Sequence, residues 1–156
     1  MLHMTKGIAL VGSGSSTPSQ RLTNQQIGLR VDTNDLWIRT RTGISERRVS
    51  GSEETLVFLS HKAALQAIQM AGWDPSTIDL VVLATSTPDD LFGSAPQVQA
   101  KLGALNAVAF DLTAACSGFL FALITAAQYL RTGSFRRALV IGADQLTRWV
   151  DWDNRR

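Results

Sequence analysis

The 156-residue sequence has few of the side chains that usually announce a protein's chemistry. It contains one cysteine and two histidines. A lone cysteine excludes an internal disulfide framework and suits a reducing compartment. Cys116, His3 and His61 stand far apart, without the spacing of a metal site, so no metal is expected. Charge of one sign is also lacking. The net charge is +2, which offers no field to draw nucleic acid. No apolar run approaches the roughly 20 residues that cross a bilayer, so no membrane partner is expected. Met1 to Lys6 is too short and too polar for a secretory signal. The cytoplasm is the expected location.

What is present reads as a globular α/β protein. The chain is 45% hydrophobic and 18% charged, enough apolar material for one domain with a core. Gly7 to Gly14 reads as a buried strand that ends in a glycine-rich turn. Asn24 to Val31 and Asp35 to Arg41 read as short helices, the second stopped by Gly43. Arg47, Arg48 and Ser50-Gly51-Ser52 read as a polar loop. Ser52 is placed to cap a helix that runs to about Ala71, with Glu53 and Glu54 matching its dipole. Ala63, Ala64, Ala67, Ile68 and Ala71 recur at helical spacing and predict one face that packs closely on a sheet.

The later segments alternate in type. Leu80 to Thr85 is a continuous apolar run, as in a strand covered on both faces. Ser94 and Pro96 open a helix that ends at Gly103. Ala107 to Leu112 and Ala138 to Ala143 predict two more strands. Between them, Cys116 to about Arg131 is an almost wholly apolar helix, which predicts a central, buried position. The alternation points to a layered fold with a mostly parallel sheet. The sequence ends in Asp151-Trp152-Asp153-Asn154-Arg155-Arg156, soon after a strand of buried type, so further polypeptide is expected to cover this core.

Cys116 is the most informative residue. It lies in Phe110-Asp111-Leu112-Thr113-Ala114-Ala115-Cys116-Ser117-Gly118-Phe119, where a strand turns into a helix. Unpaired N–H groups at a helix start favour thiolate over thiol. Ala114, Ala115, Ser117 and Gly118 leave space for a carbonyl to approach. The plainer reading is a buried structural cysteine. A hydrolase or glutaminase elbow is a further reading, but it prefers glycine where this chain has Ala114, and it needs a histidine. Gly12-Ser13-Gly14 resembles the start of a dinucleotide fingerprint. Thr17 stands where its third glycine belongs, so a tight turn is the better reading. His61 falls in a polar Ser60-His61-Lys62 patch and reads as a solvated helix residue.

The elbow and two other segments, Val31-Asp32-Thr33-Asn34-Asp35-Leu36-Trp37-Ile38-Arg39-Thr40-Arg41-Thr42-Gly43-Ile44 and Ala67-Ile68-Gln69-Met70-Ala71-Gly72, resemble the β-ketoacyl-acyl carrier protein synthase III family of thiolase-like condensing enzymes. The register holds from Gly7 to Arg155. The resemblance implies that residues 1–156 are the N-terminal half of a thiolase-like five-layered α/β fold, a mostly parallel mixed sheet with a buried nucleophile helix. That half would stop before its last strand, with the C-terminal half absent. It implies acyl transfer from acyl-CoA, commonly acetyl-CoA, to Cys116, then condensation with malonyl-acyl carrier protein to start fatty-acid synthesis, in a homodimer. Polyketide-starter relatives share the elbow. No cofactor is implied, because the coenzyme A thioester is a substrate. By motif, Trp37 and Arg155 would hold the adenine of coenzyme A, with Thr33 and Arg41 beside it. Phe92 would cross the dimer interface and border the partner's acyl pocket. The family's catalytic histidine and asparagine lie in its second half, and neither His3 nor His61 matches that histidine. A non-catalytic role as a folding or pairing module is the alternative for these residues alone.

Overall fold

The computed structural model describes residues 7–154. In chain order these form β1 (Gln20–Thr23), α1 (Asn24–Gly28), α2 (Asp35–Thr42), β2 (Glu46–Val49), α3 (Leu56–Ala71), β3 (Leu80–Ala84), α4 (Ala95–Leu102), β4 (Val108–Leu112), α5 (Gly118–Thr132) and β5 (Ala138–Gly142). They fall into two compact units. One comprises the described residues up to Ser16 together with Leu56–Asp144. The other comprises Thr17–Thr55 and the described residues from Gln145 onward.

The first unit is built on a parallel sheet of order β4-β3-β5. β3 is buried at all five positions, as its unbroken apolar sequence predicts. Its side chains alternate between two cores. Val81 and Leu83 join Leu139 and Ile141 of β5 against Ile68 of α3 and Val98 of α4. Leu80, Val82 and Ala84 pack against Ala122 and Ala126 of α5. The chain steps from β3 to β4 through α4, then back across β3 to β5 through α5. Reversing the direction of travel while keeping one crossover hand requires helices on opposite faces, which is what the two cores show.

Several expectations need correction. α5 is not fully buried. Gly118, Ala122 and Ala126 form its buried stripe, while Phe119, Leu120, Phe121 and Ile124 on its other sides are exposed. Residues 7–14 are neither buried nor paired as a strand. Gly12 and Gly14 do not make a tight turn. A Cβ on Gly12 would lie 2.1 Å from the Ala67 carbonyl oxygen, and one on Gly14 would lie 2.1 Å from that of Ala63. The segment is pressed onto α3, and the glycines are what the alanine face of that helix requires. Moving two residues along the segment shifts its contact by four residues of helix, or about 6 Å, so the backbone there is extended.

The start of α3 also differs from expectation. The helix begins at Leu56, and its first N–H groups are met by the Asp89 carboxylate, at 3.2 Å from Leu56 and 2.9 Å from Val57. Ser52 is not its cap.

The second unit is a small polar assembly. β1 and β2 pair antiparallel, with Gln20 opposite Val49 and Thr23 opposite Glu46. Arg47 and Arg48, expected in a polar loop, therefore lie in a strand, while Ser50-Gly51-Ser52 lie outside it. Thr23 and Gln26 form a capping box at the start of α1. α2 is capped by Asn34, whose side-chain oxygen accepts from the Trp37 N–H at 2.8 Å. It stops at Gly43, where φ is +70°. Asn24 is the hub of this unit and is fully buried. Its amide donates to the Asp35 carboxylate at 2.8 Å and to the Ile44 carbonyl at 2.7 Å, and its oxygen accepts from Arg47.

Candidate active site

Three loops leave the carboxyl ends of the parallel strands, the edge at which open α/β sheets place their ligands. The loop after β4 carries Cys116. Its backbone makes a single 3₁₀ turn, Ala115–Ser117, directly before α5. Ala115 has φ of +46°, the one positive value among the described residues other than glycine. A conformation of that kind costs about 1–3 kcal/mol and persists only where the surroundings impose it.

Two tight contacts impose it here. A Cβ on Gly118 would come within 3.2 Å of the Ala84 Cβ. One on Gly142 would come within 3.0 Å of the Phe119 ring. The start of α5 is thus seated on the ends of β3 and β5, and the chain between β4 and α5 must turn sharply. The Ser117 side chain does not cap the first turn of α5, and Cys116 is exposed beside it. The thiol is reachable, next to a helix N-terminus, and flanked by small residues.

Aspartates shape the neighbouring loops, a feature that spacing alone did not reveal. Asp111, on β4, accepts from the Ser94 N–H at 2.8 Å and the Ala95 N–H at 2.6 Å. It caps α4 from another strand, while Ser94 supplies no side-chain cap. Asp144, just past β5, accepts from the Ser86 N–H at 2.7 Å. Asp90 accepts from the Phe92 N–H at 2.8 Å and from the Gln97 amide at 2.8 Å. The loop so held presents Phe92 with 91% of its surface exposed, beside an equally bare Leu91. The signal in the sequence is an aspartate within or just beyond an apolar strand, where a charge has no packing role.

In the second unit, α2 brings Trp37 and Arg41 together. The Arg41 guanidinium lies 4.4 Å from the centroid of the indole, one helical turn away. Trp37 remains 39% exposed. Thr33 is half-buried in the bend before the helix cap. The Asp35 carboxyl is held below its ordinary pKa, first by the hydrogen bond from Arg39 and then by that from Asn24. That pairing occupies Arg39 and leaves the Arg41 side chain to the indole. Arg155 lies outside the described residues. His61 is half-buried on α3 rather than on a solvated face. Among the described residues no cluster of His, Cys, Asp and Glu is arranged to hold a metal ion, and no helix is long and apolar enough to cross a membrane.

The model of the 3-oxoacyl-[acyl-carrier-protein] synthase III family matches residues 110–156, the stretch that contains the Cys116 elbow. A β-ketoacyl-[acyl-carrier-protein] synthase III of Prochlorococcus marinus (strain MIT 9313) is 75% identical over 150 residues, which is 96% of this chain and 44% of that protein. The chain belongs to the β-ketoacyl-[acyl-carrier-protein] synthase III family. The enzyme of the same name from Synechococcus sp. (strain WH7803) is 69% identical over the same share of each chain. Among solved structures, the 3-oxoacyl-[acyl-carrier-protein] synthase III of Aquifex aeolicus VF5 superimposes with a TM-score of 0.92 at 44% identity, over 96% of this chain and 48% of that one. The priming β-ketosynthase of the R1128 polyketide pathway gives 0.90 at 37% identity, over 94% and 44%. The chain therefore spans less than half the length of the family members it matches.

Proposed function

We propose that Cys116 is the acyl acceptor of a condensing enzyme that starts fatty-acid synthesis. The observation that carries this reading is the exposed thiol on a constrained turn at the start of α5. The thiolate attacks the carbonyl carbon of an acyl-coenzyme A, most simply acetyl. A carbon–sulfur bond forms to Cys116, the bond to the coenzyme A sulfur breaks, and the departing thiolate takes up a proton. A thioester is already activated, so the step asks for no cofactor. In the second step malonyl-acyl carrier protein loses carbon dioxide. The resulting enolate carbon attacks the acyl group and releases Cys116.

In this reading Trp37 offers its flat face to the adenine of coenzyme A, Arg41 supplies a cation for the phosphates, and Thr33 and Arg155 complete the nucleotide site. Phe92 contacts a second subunit of a homodimer beside its acyl pocket. The protein works in the cytoplasm. The 75% identity to a β-ketoacyl-[acyl-carrier-protein] synthase III supports fatty-acid initiation over the polyketide priming represented at 37%. Stabilising the enolate belongs to a histidine and an asparagine of the family's second half. For residues 1–156 the reading therefore stops at acyl transfer.

The test is exchange of label between acetyl-coenzyme A and free coenzyme A, which requires an acyl-enzyme. Wild-type chain is expected to exchange, and Cys116→Ser to lose at least about 100-fold of that rate. Exchange that survives the substitution would remove Cys116 from this role.

A further inference from the structure

The proposed acyl transfer gives Asn24 no role, yet its side chain is fully buried in the polar second unit. Its backbone is fixed first. Thr23 and Gln26 form their capping box on either side of it, and the Asn24 N–H donates to the Ser45 carbonyl at 3.3 Å. The side chain then reaches both ends of α2. Its amide donates at 2.8 Å to Asp35, the first residue of the helix. It also donates at 2.7 Å to the carbonyl of Ile44, just past the stop at Gly43. Its oxygen accepts from Arg47 of β2.

The helix needs such a brace. It has eight residues, about 12 Å of helix, and Ile38 is its buried side chain. Backbone bonds alone do not hold a helix that short, and little apolar packing is added here. Asp35 serves a second purpose. The oxygen that accepts from Asn24 also accepts from Arg39 Nε at 2.9 Å. Arg39 and Arg41 are two residues apart and lie on different sides of the helix. Arg39 is turned back onto the first turn, and Arg41 lies 4.4 Å from the centroid of the Trp37 indole.

We infer that Asn24 is a positioning residue for the nucleotide site: by tying Asp35 and Ile44 to Arg47 of β2, it sets α2 and so places the Trp37 and Arg41 side chains. The inference rests on the proposed reading of that pair as part of the coenzyme A site. An amide is the side chain that this position demands. A carboxylate and a carbonyl meet its two N–H groups, and a guanidinium meets its oxygen. A carboxylate of the same shape would keep the bond from Arg47. It would turn both ties to α2 into contacts between acceptors.

Asn24→Asp in the 156-residue chain tests it, read first by NMR without ligand. In the wild type the indole ring current should displace the Arg41 side-chain protons upfield, and Trp37→Ala should remove the displacement. Asn24→Asp should remove most of it. The amides of residues 39–42 should exchange at least about tenfold faster, while those of β1 and β2 keep their protection. In label exchange with acetyl-coenzyme A, the variant should raise KM at least about tenfold. The saturated rate should stay within about twofold, because binding far from the thioester is lost uniformly. Asp35→Ala cuts one tie and leaves Asn24 bonded to Ile44 and Arg47, so it should raise KM by at least about threefold. It carries the test if Asn24→Asp does not fold. An Arg41 displacement that survives Asn24→Asp would overturn the inference. So would an unchanged KM in a variant that has lost the displacement, where Trp37→Ala raises KM. Loss of protection in β1 and β2 together with a fallen saturated rate would assign Asn24 to folding alone, and overturn it too. If Trp37→Ala leaves KM unchanged, the coenzyme A reading fails, and the Arg41 displacement by itself decides whether Asn24 places the pair.

Discussion

In the proposed function, Cys116 and Trp37 are readied for a ligand in two different ways. At the elbow the readiness is conformational. Ala115 takes a left-handed backbone angle that an alanine resists, because Gly118 and Gly142 let α5 sit close on the strand ends. At Trp37 it is electrostatic. The indole carries the Arg41 guanidinium on one face, a pairing worth about 0.5–1 kcal/mol at an exposed site. A flat aromatic surface with an adjoining cation suits a purine that bears phosphates. Trp37→Ala should therefore weaken coenzyme A binding by about 1–3 kcal/mol, as base–aromatic stacking does elsewhere. Calorimetry would measure it, with the denaturation midpoint as a control on folding. An unchanged affinity would assign Trp37 to packing alone.

At the scale of elements, α3 and α4 start where distant carboxylates permit, and α2, α4 and α5 stop at local glycines. This divides what sequence reading could find from what it could not. The stops at Gly43 and Gly103 were legible, because a left-handed residue after a helical run is a local signal. β3 was legible from five consecutive apolar residues, and the elbow from the strand and helix on either side of Cys116. The start of α3 was not, since its cap is Asp89, 33 residues away in sequence. The pairing of Gln20–Thr23 with Glu46–Val49 was not legible either, because both strands are largely polar and pair across 20 or more residues without an apolar alternation. The glycines at 12 and 14 suggested a turn, because close packing on α3 leaves no mark in their own segment.

Asp111 is the strongest test of this long-range capping. It meets two N–H groups at the start of α4 and sits partly buried on β4. Asp111→Ala removes both bonds and should lower the unfolding free energy by about 1–3 kcal/mol, from the lost cap and the unsatisfied donors. Urea unfolding at an unchanged slope would record it. A loss below about 0.5 kcal/mol would mean that the loop carrying Phe92 is held by other contacts.

At the scale of the whole molecule, the parallel sheet of the first unit gathers the candidate acyl-transfer chemistry at one edge. The strand ends carry the Cys116 elbow, the Asp144 clasp on Ser86, and the loop that presents Phe92. Phe119, Leu120, Phe121 and Ile124 of α5 form an exposed apolar surface. The central claim is that the thiol at this edge accepts an acyl group. Intact-mass spectrometry of the 156-residue chain after exposure to acetyl-coenzyme A, followed by peptide mapping, addresses it most directly. The expected result is the gain of one acetyl group, located on Cys116 and released by hydroxylamine. Acetylation confined to lysines, with Cys116 unmodified yet still open to alkylation by iodoacetamide, would contradict the account.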